Sequence, residues 1–192
     1  MKMKKIITIL GARPQFVKAT AVSKAIEESG RFKEKIIHTG QHFDKDMSEV
    51  FFDEMGIPKP EYNLGISGGT HGSMTGRMII ELEKILIEEN PDCVVIYGDT
   101  NSTLAGALSG AKLRIPVAHV EAGLRSYNRS MPEEINRILA DRISVLLFCP
   151  SEQAAKNLRL EGIGADLPDG TPGHGAFAGK PEIVVTGDVM VD

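Results

Sequence analysis

Short apolar runs rich in β-branched residues alternate along the chain with longer segments in which apolar residues recur every three or four positions. The short runs predict β-strands and the longer segments predict helices. Such alternation is typical of βαβ units, in which helices cover both faces of a parallel sheet. We expect strands at Lys5–Leu10, Lys35–Thr39, Cys93–Tyr97, Val117–Val120, Val145–Cys149 and Glu182–Thr186. We expect helices at Phe16–Ser29, Asp46–Met55, Thr70–Glu89, Ser102–Leu113, Glu133–Ile143 and Ser151–Leu160.

The predicted fold class is α/β, with a doubly wound, mostly parallel, Rossmann-like sheet. Residues typical of helix ends support these boundaries. Pro132 suits a first helical position, and the acidic Glu133 and Glu134 suit the positive end of a helix. Ser151 is a typical N-cap, and Gly30 is typical of the residue that follows a helix.

One segment does not fit the alternation. Residues 162–180 are rich in glycine and proline and have no apolar period, so they predict a surface loop. The segment contains GHGAFAGK, but its glycine spacing is not that of a phosphate-binding loop, and neither Ser nor Thr follows Lys180. We therefore expect no phosphate-binding loop there.

Composition limits the possible functions. A chain of 192 residues with 42% hydrophobic content can bury one core, so we expect a single domain over 1–192. The formal net charge of −4 does not support a nucleic-acid partner. The apolar run Ile6–Leu10 is too short for a signal peptide, and no apolar stretch approaches the roughly 20 residues of a membrane span. We expect a cytoplasmic protein with no membrane partner.

Cysteines and histidines do not form a metal-binding pattern. Cys93 and Cys149 lie in or at the end of apolar runs without a CxxC motif, which favours buried thiols over a disulfide or a zinc site. The histidines lack ligand spacing such as HExxH, and they are His38, His42, His71, His119 and His174. We predict no metal ion.

Polar segments follow directly after several predicted strands. In open α/β sheets the ligand binds beyond the carboxyl ends of the strands, where the strand order reverses. Here those ends carry GARPQFVK, TGQH, GDTNST and EAGLR. Gly11 would let the backbone approach a ligand, and Arg13 and Lys18 lie near a helix N-terminus, which attracts anions. The alternative is a turn glycine beside solvated basic side chains. Because GxGxxG is absent, we expect no NAD.

Acidic side chains come from three separate strand or helix ends. A fold that gathers those ends would bring Asp99, Glu121 and Glu133 around one pocket, and carboxylates in a cleft suit acid–base catalysis. The simpler alternatives are a helix cap for Asp99 and an i,i+4 surface pair for Glu133 with Arg137.

The two histidines nearest these strand ends have different predicted roles. His119 alternates with Val117 on a strand, so we expect a hydrogen-bonded core residue rather than a catalyst. His42 lies in a loop at a strand end and is the better candidate for ligand contact.

Together these segments resemble the non-hydrolysing UDP-N-acetylglucosamine 2-epimerases along nearly the whole chain. The motifs are GARPQFVK, TGQH, GDTNSTLAGALSGAKLRIPVAHVEAGLR, MPEEINR, CPSE and TGDVMVD. The resemblance implies that this chain is the N-terminal half of a GT-B-like two-domain fold, with the C-terminal nucleotide-binding domain absent. It implies that Asp99, Glu121 and Glu133 are catalytic. It further implies that the substrate-binding residues are Arg13, Lys18, Gln41, His42 and Arg137.

The chemistry implied by the resemblance is an elimination, for which no cofactor is expected. A base removes the C2 proton of the sugar as UDP leaves C1, and UDP adds back to the resulting 2-acetamidoglucal after C2 is reprotonated on the other face. We assign the proton transfers near C2 to Asp99 and Glu121, with Glu133 as their electrostatic or orienting partner. The resemblance also implies a homodimer that takes part in the synthesis of polysaccharide precursors. Without the second domain we expect this chain alone to be inactive or nearly so.

The sequence leaves two sugars as candidates for the substrate. Gln15 stands where many family members have Glu, and the GARPQF form resembles a branch that acts on UDP-2,3-diacetamido-glucuronic acid. A non-catalytic fragment of a nucleotide-sugar protein is a further alternative. A glycosyltransferase of the same architecture is disfavoured, because the GDT, HVEAGLR and PEEINR segments match the epimerases as a set.

Overall fold

The fold is a parallel sheet of seven strands in a computed structural model that describes residues 3–41, 59–164 and 180–189. The strand order is β3-β2-β1-β4-β5-β6-β7, and every neighbouring pair is parallel. The strands are β1 (Lys4–Leu10), β2 (Phe32–His38), β3 (Tyr62–Asn63), β4 (Cys93–Tyr97), β5 (Val117–Val120), β6 (Leu146–Cys149) and β7 (Glu182–Val185). The order reverses between β1 and β4, so the doubly wound α/β prediction is confirmed.

Helices connect most of these strands. They are α1 (Arg13–Ser29), α2 (His71–Glu89), α3 (Asn101–Lys112), α4 (Pro132–Ile143) and α5 (Glu152–Leu160). The predicted end signals are confirmed: α4 begins at Pro132, the Ser151 hydroxyl caps α5, and Gly30 follows α1 in the left-handed region at φ 61°. Both α2 and α3 begin after threonine N-caps, Thr70 and Thr100.

Two predictions about strands were wrong, and others cannot be compared. The strand β2 begins at Phe32 rather than Lys35, and its first three residues already pair with β1. The charged residues Lys33 and Glu34 interrupt the apolar run from which the strand was predicted. The short β3 was missed, since two residues are too few for a periodic pattern. The predicted helix Asp46–Met55, the ligand candidate His42 and most of the predicted loop 162–180 lie outside the described residues.

The core has one layer on each face of the sheet. Side chains of β1 alternate between the two faces, with Ile7 and Ile9 packing under α2, α3 and α4, and Ile6 and Leu10 packing under α1. A smaller cluster joins β6 to α5. Strands buried on both faces explain the continuous apolar runs that predicted them. Among the described helices, none combines the length and apolarity needed to cross a membrane.

Both cysteines are free thiols. Cys149 is buried and Cys93 is half-buried. Burial raises the pKa of each thiol to about 11, so both are protonated at neutral pH.

Small residues let α3 approach the sheet closely. An added Cβ at Gly110 would lie 2.8 Å from a methyl carbon of Val117, and one at Gly106 would lie 3.0 Å from Ile9 and Ile96. A larger side chain would therefore push α3 away from β4 and β5, and with it the turn that carries the N-terminus of α3.

We expect Gly110→Ala to lower the free energy of unfolding by about 1–3 kcal/mol, because the new methyl group overpacks a core contact. Gly76→Ala in α2 is the matched control, since an added Cβ there meets nothing within 4 Å. That control should be neutral or stabilising by up to about 1 kcal/mol, as expected for a helical glycine with open space where a Cβ would lie. Urea unfolding measures both, and equal effects would contradict the close-packing argument.

Candidate active site

A cavity of about 430 Å³ opens beyond the carboxyl end of the sheet, where the N-termini of α1, α3 and α4 meet. Its lining includes four residues predicted to form the site: Arg13, Gln41, Asp99 and Glu133. His71 and Asn136, which were not predicted, also contribute to the wall. Residues far apart in the sequence therefore meet at the switch point of the sheet.

Asp99 lies in the turn after β4 and is held from α4. The guanidinium of Arg137 forms an ion pair with its carboxylate, and Asn136 Nδ2 donates to its backbone oxygen at 2.9 Å. The side chain is 32% exposed, so it is reachable from the cavity. The alternative role as a helix cap is wrong, because Thr100 caps α3 by accepting from Thr103 N.

Arg137 pairs with Asp99 and Glu134 rather than with Glu133. Its Nη1 donates to Glu134 Oε2 at 2.6 Å, so the i,i+4 surface pair expected from the sequence does not form. The Glu134 side chain is only 1% exposed. It also accepts hydrogen bonds from the Ser126 amide and hydroxyl, both at 3.0 Å, and from the Tyr127 amide at 2.9 Å.

The partners of Glu134 determine its charge state. Burial raises the pKa of a carboxyl group, but here the hydrogen bonds from Ser126, Tyr127 and Arg137 outweigh burial and lower the pKa of Glu134 to about 2. Sequence reasoning missed this residue. The signal available was the pair of glutamates after Pro132, only one of which can face the cavity while the other faces the core.

Glu133 is the member of that pair that lines the cavity. Within the described residues it makes no hydrogen bond or ion pair, and it is partly exposed. It lies in the first turn of α4, where the positive helix end stabilises negative charge. Glu133 can therefore contact a bound molecule without first breaking a contact within the described part of the chain.

Glu121 faces the adjoining cleft instead of the main cavity. Its carboxylate forms an ion pair with Lys18, and both line a small cleft with Thr186 and Asp188. Its backbone φ is 71°, a left-handed value uncommon for a residue with a side chain. Because Glu121 Oε2 would lie 3.2 Å from a Cβ added at Gly98, the carboxylate borders the turn that carries Asp99.

The structure thus brings the predicted residues together in two adjoining groups. Asp99 and Glu133 share the cavity with Arg13, whereas Glu121 and Lys18 form an ion pair beside it. A single pocket holding all three carboxylates, as expected from the sequence, is not what these side chains form. Backbone strain of the kind seen at Glu121 concentrates at functional sites.

Gly11 and Gln41 are tied to α3. An added Cβ at Gly11 would lie 1.9 Å from Ser102 Oγ and 2.4 Å from Thr39 Oγ1, so the glycine is required by internal packing and not by approach to a ligand. Gln41 Oε1 accepts from the amide of Ser102 at 3.1 Å and from its hydroxyl at 2.9 Å. Gln41 also lines the cavity.

Gln15 is buried and holds together two turns that line the cavity. Its side-chain oxygen accepts from the amides of Gly11 at 2.7 Å and Ala12 at 3.0 Å. Its side-chain nitrogen donates to Tyr97 O at 2.6 Å. It also donates to the hydroxyl of Thr100 at 3.0 Å. Gln15 therefore joins the turn after β1 to the turn after β4.

In the part of the chain that is described, no three His, Cys, Asp or Glu side chains are placed to hold a metal ion together. The expectation that neither a metal nor a cofactor takes part stays a prediction.

The family model described as UDP-N-acetylglucosamine 2-epimerase matches residues 24–192. The chain belongs to this family. It is 57% identical over 98% of its length to the UDP-2,3-diacetamido-2,3-dideoxy-D-glucuronate 2-epimerase of Pseudomonas aeruginosa, of which it covers 49%. It is 59% identical over 85% of its length to a UDP-N-acetylglucosamine 2-epimerase homolog of Methanococcus maripaludis, of which it covers 45%. It therefore spans about half the length of these epimerases.

Solved epimerase structures share the fold. The crystal structure of the Methanocaldococcus jannaschii UDP-GlcNAc 2-epimerase in complex with UDP-GlcNAc and UDP superposes with a TM-score of 0.80 at 54% identity. That match covers 83% of this chain and 44% of the other. MurG of Acinetobacter baumannii, at 13% identity and a TM-score of 0.56, shares the fold alone. The Rossmann-like sheet thus matches about half of the GT-B-like epimerases, as predicted.

We expect Glu134→Gln to make the free energy of unfolding less dependent on pH in the acidic range. The folded-state pKa of about 2 lies below the ordinary 4.5, so the stabilisation from ionised Glu134 is complete above pH 4.5 and is lost as pH falls towards 2. A shift of this size corresponds to about 3 kcal/mol. Urea unfolding from neutral pH down to pH 3 should show a smaller loss for the variant than for wild type.

Glu81→Gln is the matched control, because Glu81 forms an exposed pair with Lys84 and its side chain is 44% exposed. Its effect on the free energy of unfolding should stay below about 1 kcal/mol at every pH. An acid profile for Glu134→Gln parallel to that of wild type would contradict the assigned role of Glu134.

Proposed function

We propose that this chain supplies the N-terminal half of an active site that converts UDP-N-acetylglucosamine to UDP-N-acetylmannosamine. The observation that carries the proposal is the cavity in which Asp99 and Glu133 face the same space as Arg13. Membership of the family supports the reaction type. The finer roles of Arg13, Lys18, Gln41, His42 and Arg137 in binding the substrate are part of the same proposal.

The reaction needs a base, an acid and stabilisation of a leaving diphosphate. No carbonyl group is adjacent to C2 of the sugar, so removal of that proton alone would leave an unstabilised carbanion. In the proposed elimination the C2–H bond and the C1–O bond to UDP break together, which gives 2-acetamidoglucal and UDP. Reprotonation of C2 on the opposite face and addition of UDP to C1 complete the cycle without net oxidation.

Two of the three carboxylates, Asp99 and Glu121, are candidates for the proton transfers. Asp99 forms an ion pair with Arg137, and Glu121 forms one with Lys18. A carboxylate can accept the C2 proton, and the group that returns a proton on the opposite face must be protonated when that step begins. We assign the proton transfers at C2 to these two groups. Glu133, which has no partner among the described residues and lines the cavity, would be their electrostatic or orienting partner. Arg13 at the N-terminus of α1 would face the diphosphate.

A second substrate is favoured by a specific observation. The Pseudomonas aeruginosa relative, which matches 98% of this chain, is named for UDP-2,3-diacetamido-2,3-dideoxy-D-glucuronate. That sugar has the same 2-acetamido group and the same leaving group, so the elimination would be the same. It differs at C3 and at the C6 carboxylate, and the comparison of the two sugars as substrates decides between them.

The experiment follows exchange of the C2 proton in deuterated water by proton NMR with each sugar nucleotide. Three proteins are compared: this chain alone, a chimera in which it replaces the matching half of the Pseudomonas aeruginosa relative, and that relative itself. We expect exchange in the chimera and little or none in the chain alone, because binding energy from the remainder of the substrate drives events at the reacting carbon.

Within the chimera, Asp99→Asn and Glu121→Gln should each reduce exchange by about 10²–10⁴-fold, the usual contribution of an acid–base group. Glu81→Gln, on the exposed face of α2, should leave the rate unchanged. An inactive chimera beside an active Pseudomonas protein would favour the non-catalytic alternative, and full activity of the Asp99→Asn chimera would overturn the assignment of that residue.

We infer further that the protein forms a homodimer, acts in the cytoplasm and supplies polysaccharide precursors, as the resemblance implies. Exposed apolar side chains support the dimer. Ile80 and Ile87 of α2 are 57% and 62% exposed, and Leu139 of α4 is 43% exposed. Since α3 packs against both α2 and α4, these side chains lie on the same helical side of the molecule.

We expect Ile87→Lys to shift the protein from dimer to monomer in analytical ultracentrifugation, because a charge in an apolar interface lacks a partner. The control is Leu160→Lys, since Leu160 is 74% exposed at the end of α5, on another part of the surface. A wild-type protein that sediments as a monomer over a wide concentration range would contradict the homodimer.

A further inference from the structure

A buried ion-pair row lies directly behind the turns that carry Asp99 and Glu121. His119 of β5 and Asp141 of α4 are both fully buried. His119 Nδ1 lies 2.7 Å from Asp141 Oδ1, and His119 Nε2 lies 2.7 Å from Gly98 O. The prediction that His119 is a hydrogen-bonded core residue is therefore confirmed. Its partner Gly98, however, is the residue immediately before Asp99.

The second oxygen of Asp141 reaches the other turn. It accepts from the amide of Gly123 at 3.1 Å and from Arg125 Nη1 at 2.6 Å. Gly123 follows Glu121 by two residues, and both have left-handed backbones, with φ of 82° and 71°. One carboxylate therefore connects, directly or through His119, to the backbone beside each of two proposed catalytic groups.

The positive charge of Arg125 is paired with a second carboxylate, that of Glu161, which contacts neither turn. Arg125 donates to both carboxylate oxygens of Glu161 at 2.7 and 2.8 Å. Burial raises the pKa of Asp141, but the hydrogen bonds and charges of His119 and Arg125 outweigh burial and lower it overall, so Asp141 is ionised. Loss of one partner would leave a buried charge uncompensated, which is strongly destabilising. These bonds therefore hold each turn in one position.

We propose that His119 and Asp141 are positioning residues, which hold the turns of Asp99 and Glu121 in the geometry that the epimerisation requires. The inference rests on the proposed function. If the cluster served only to stabilise the fold, the identity of the backbone groups that its hydrogen bonds reach would not matter for catalysis. Here the bonds end on Gly98 and Gly123, so loss of a particular bond should move a particular catalytic group. Misplacement of a reacting group by about 1 Å can reduce a rate by about 10²-fold.

Paired substitutions separate positioning from stability. In His119→Gln the side-chain nitrogen can replace Nε2 and donate to Gly98 O, whereas in His119→Asn it can replace Nδ1 and donate only to Asp141. Each variant loses one bond and the same ring. Positioning predicts that kcat for exchange in the chimera falls at least about tenfold more in His119→Asn than in His119→Gln, with KM little changed.

A second pair covers the case in which neither His119 variant folds. In Asp141→Asn the amide can donate to His119 Nδ1 while its oxygen accepts from Gly123 N, and His119 Nε2 still donates to Gly98 O. In Asp141→Leu both connections are lost. We expect kcat within about threefold of the parent for Asp141→Asn and a loss of about 10²-fold for Asp141→Leu. Glu161→Gln breaks the outer end of the row, touches neither turn, and should retain kcat despite reduced stability.

Amide hydrogen exchange in this chain gives a readout that does not depend on turnover. The Gly98 amide donates to Val120 O at 3.0 Å, and the Gly123 amide donates to Asp141. We expect His119→Asn to speed exchange at Gly98 more than His119→Gln does, and Asp141→Leu to speed exchange at Gly123 more than Asp141→Asn does. If kcat and both exchange rates simply follow the free energy of unfolding across all variants, the positioning role is overturned. An inactive parent chimera would instead count against the proposed function, and the exchange pattern would still decide the positioning role.

Discussion

Buried carboxylates on the inner face of α4 must find hydrogen-bond donors, because an ionised group in a protein interior is otherwise very costly. Glu134 and Asp141 are 1% and 0% exposed. Their donors are three backbone amides and the Ser126 hydroxyl of the segment after β5, together with the side chains of His119 and two arginines. The requirement to satisfy these two carboxylates therefore fixes α4 against the turns at the carboxyl edge of the sheet.

This constraint makes α4 the element that assembles the site. Asn136 and Arg137 hold the backbone and the carboxylate of Asp99, while Glu133 on the outer side of the same helix faces the cavity. A slip of α4 by one residue would leave buried charges without partners, so the relative position of Asp99 and Glu133 is set by energetics of the interior. Arrangements of this kind hold catalytic groups in place before a substrate binds, which is the condition for efficient electrostatic stabilisation.

Sequence patterns predicted most of this architecture. Apolar runs identified β4 and β5 to the residue, because strands buried on both faces leave a continuous signal. The rule that ligands bind at the carboxyl ends of strands pointed to Arg13, Asp99 and Glu133, and these residues line the cavity at that edge. The direction of individual side chains was not predictable in the same way. Helical spacing alone could not tell that Glu134, and not Glu133, would meet Arg137.

Glu121 shows why the arrangement of the side chains in the site could not be predicted from the sequence. Its position at the end of β5 was clear from the sequence, but its left-handed φ of 71° turns the side chain towards Lys18 and the adjoining cleft. Such a backbone value depends on contacts of the surrounding turn, including the bond from Gly123 to Asp141, which are separated from it in sequence. Tertiary contacts of this kind override local preference.

Gln15 bears on how the sugar is selected. The difference between Gln and Glu at this position suggested a branch of the family, yet Gln15 is 2% exposed, and its hydrogen bonds go to the turns after β1 and β4 and to Thr103 of α3. Its amide nitrogen donates to Tyr97 O, where a carboxylate oxygen of Glu would face another acceptor, so the residue must be matched to its internal partners. Selection between the two sugars therefore has to come from side chains that reach the cavity, and Gln15 can affect it only by moving the turns after β1 and β4.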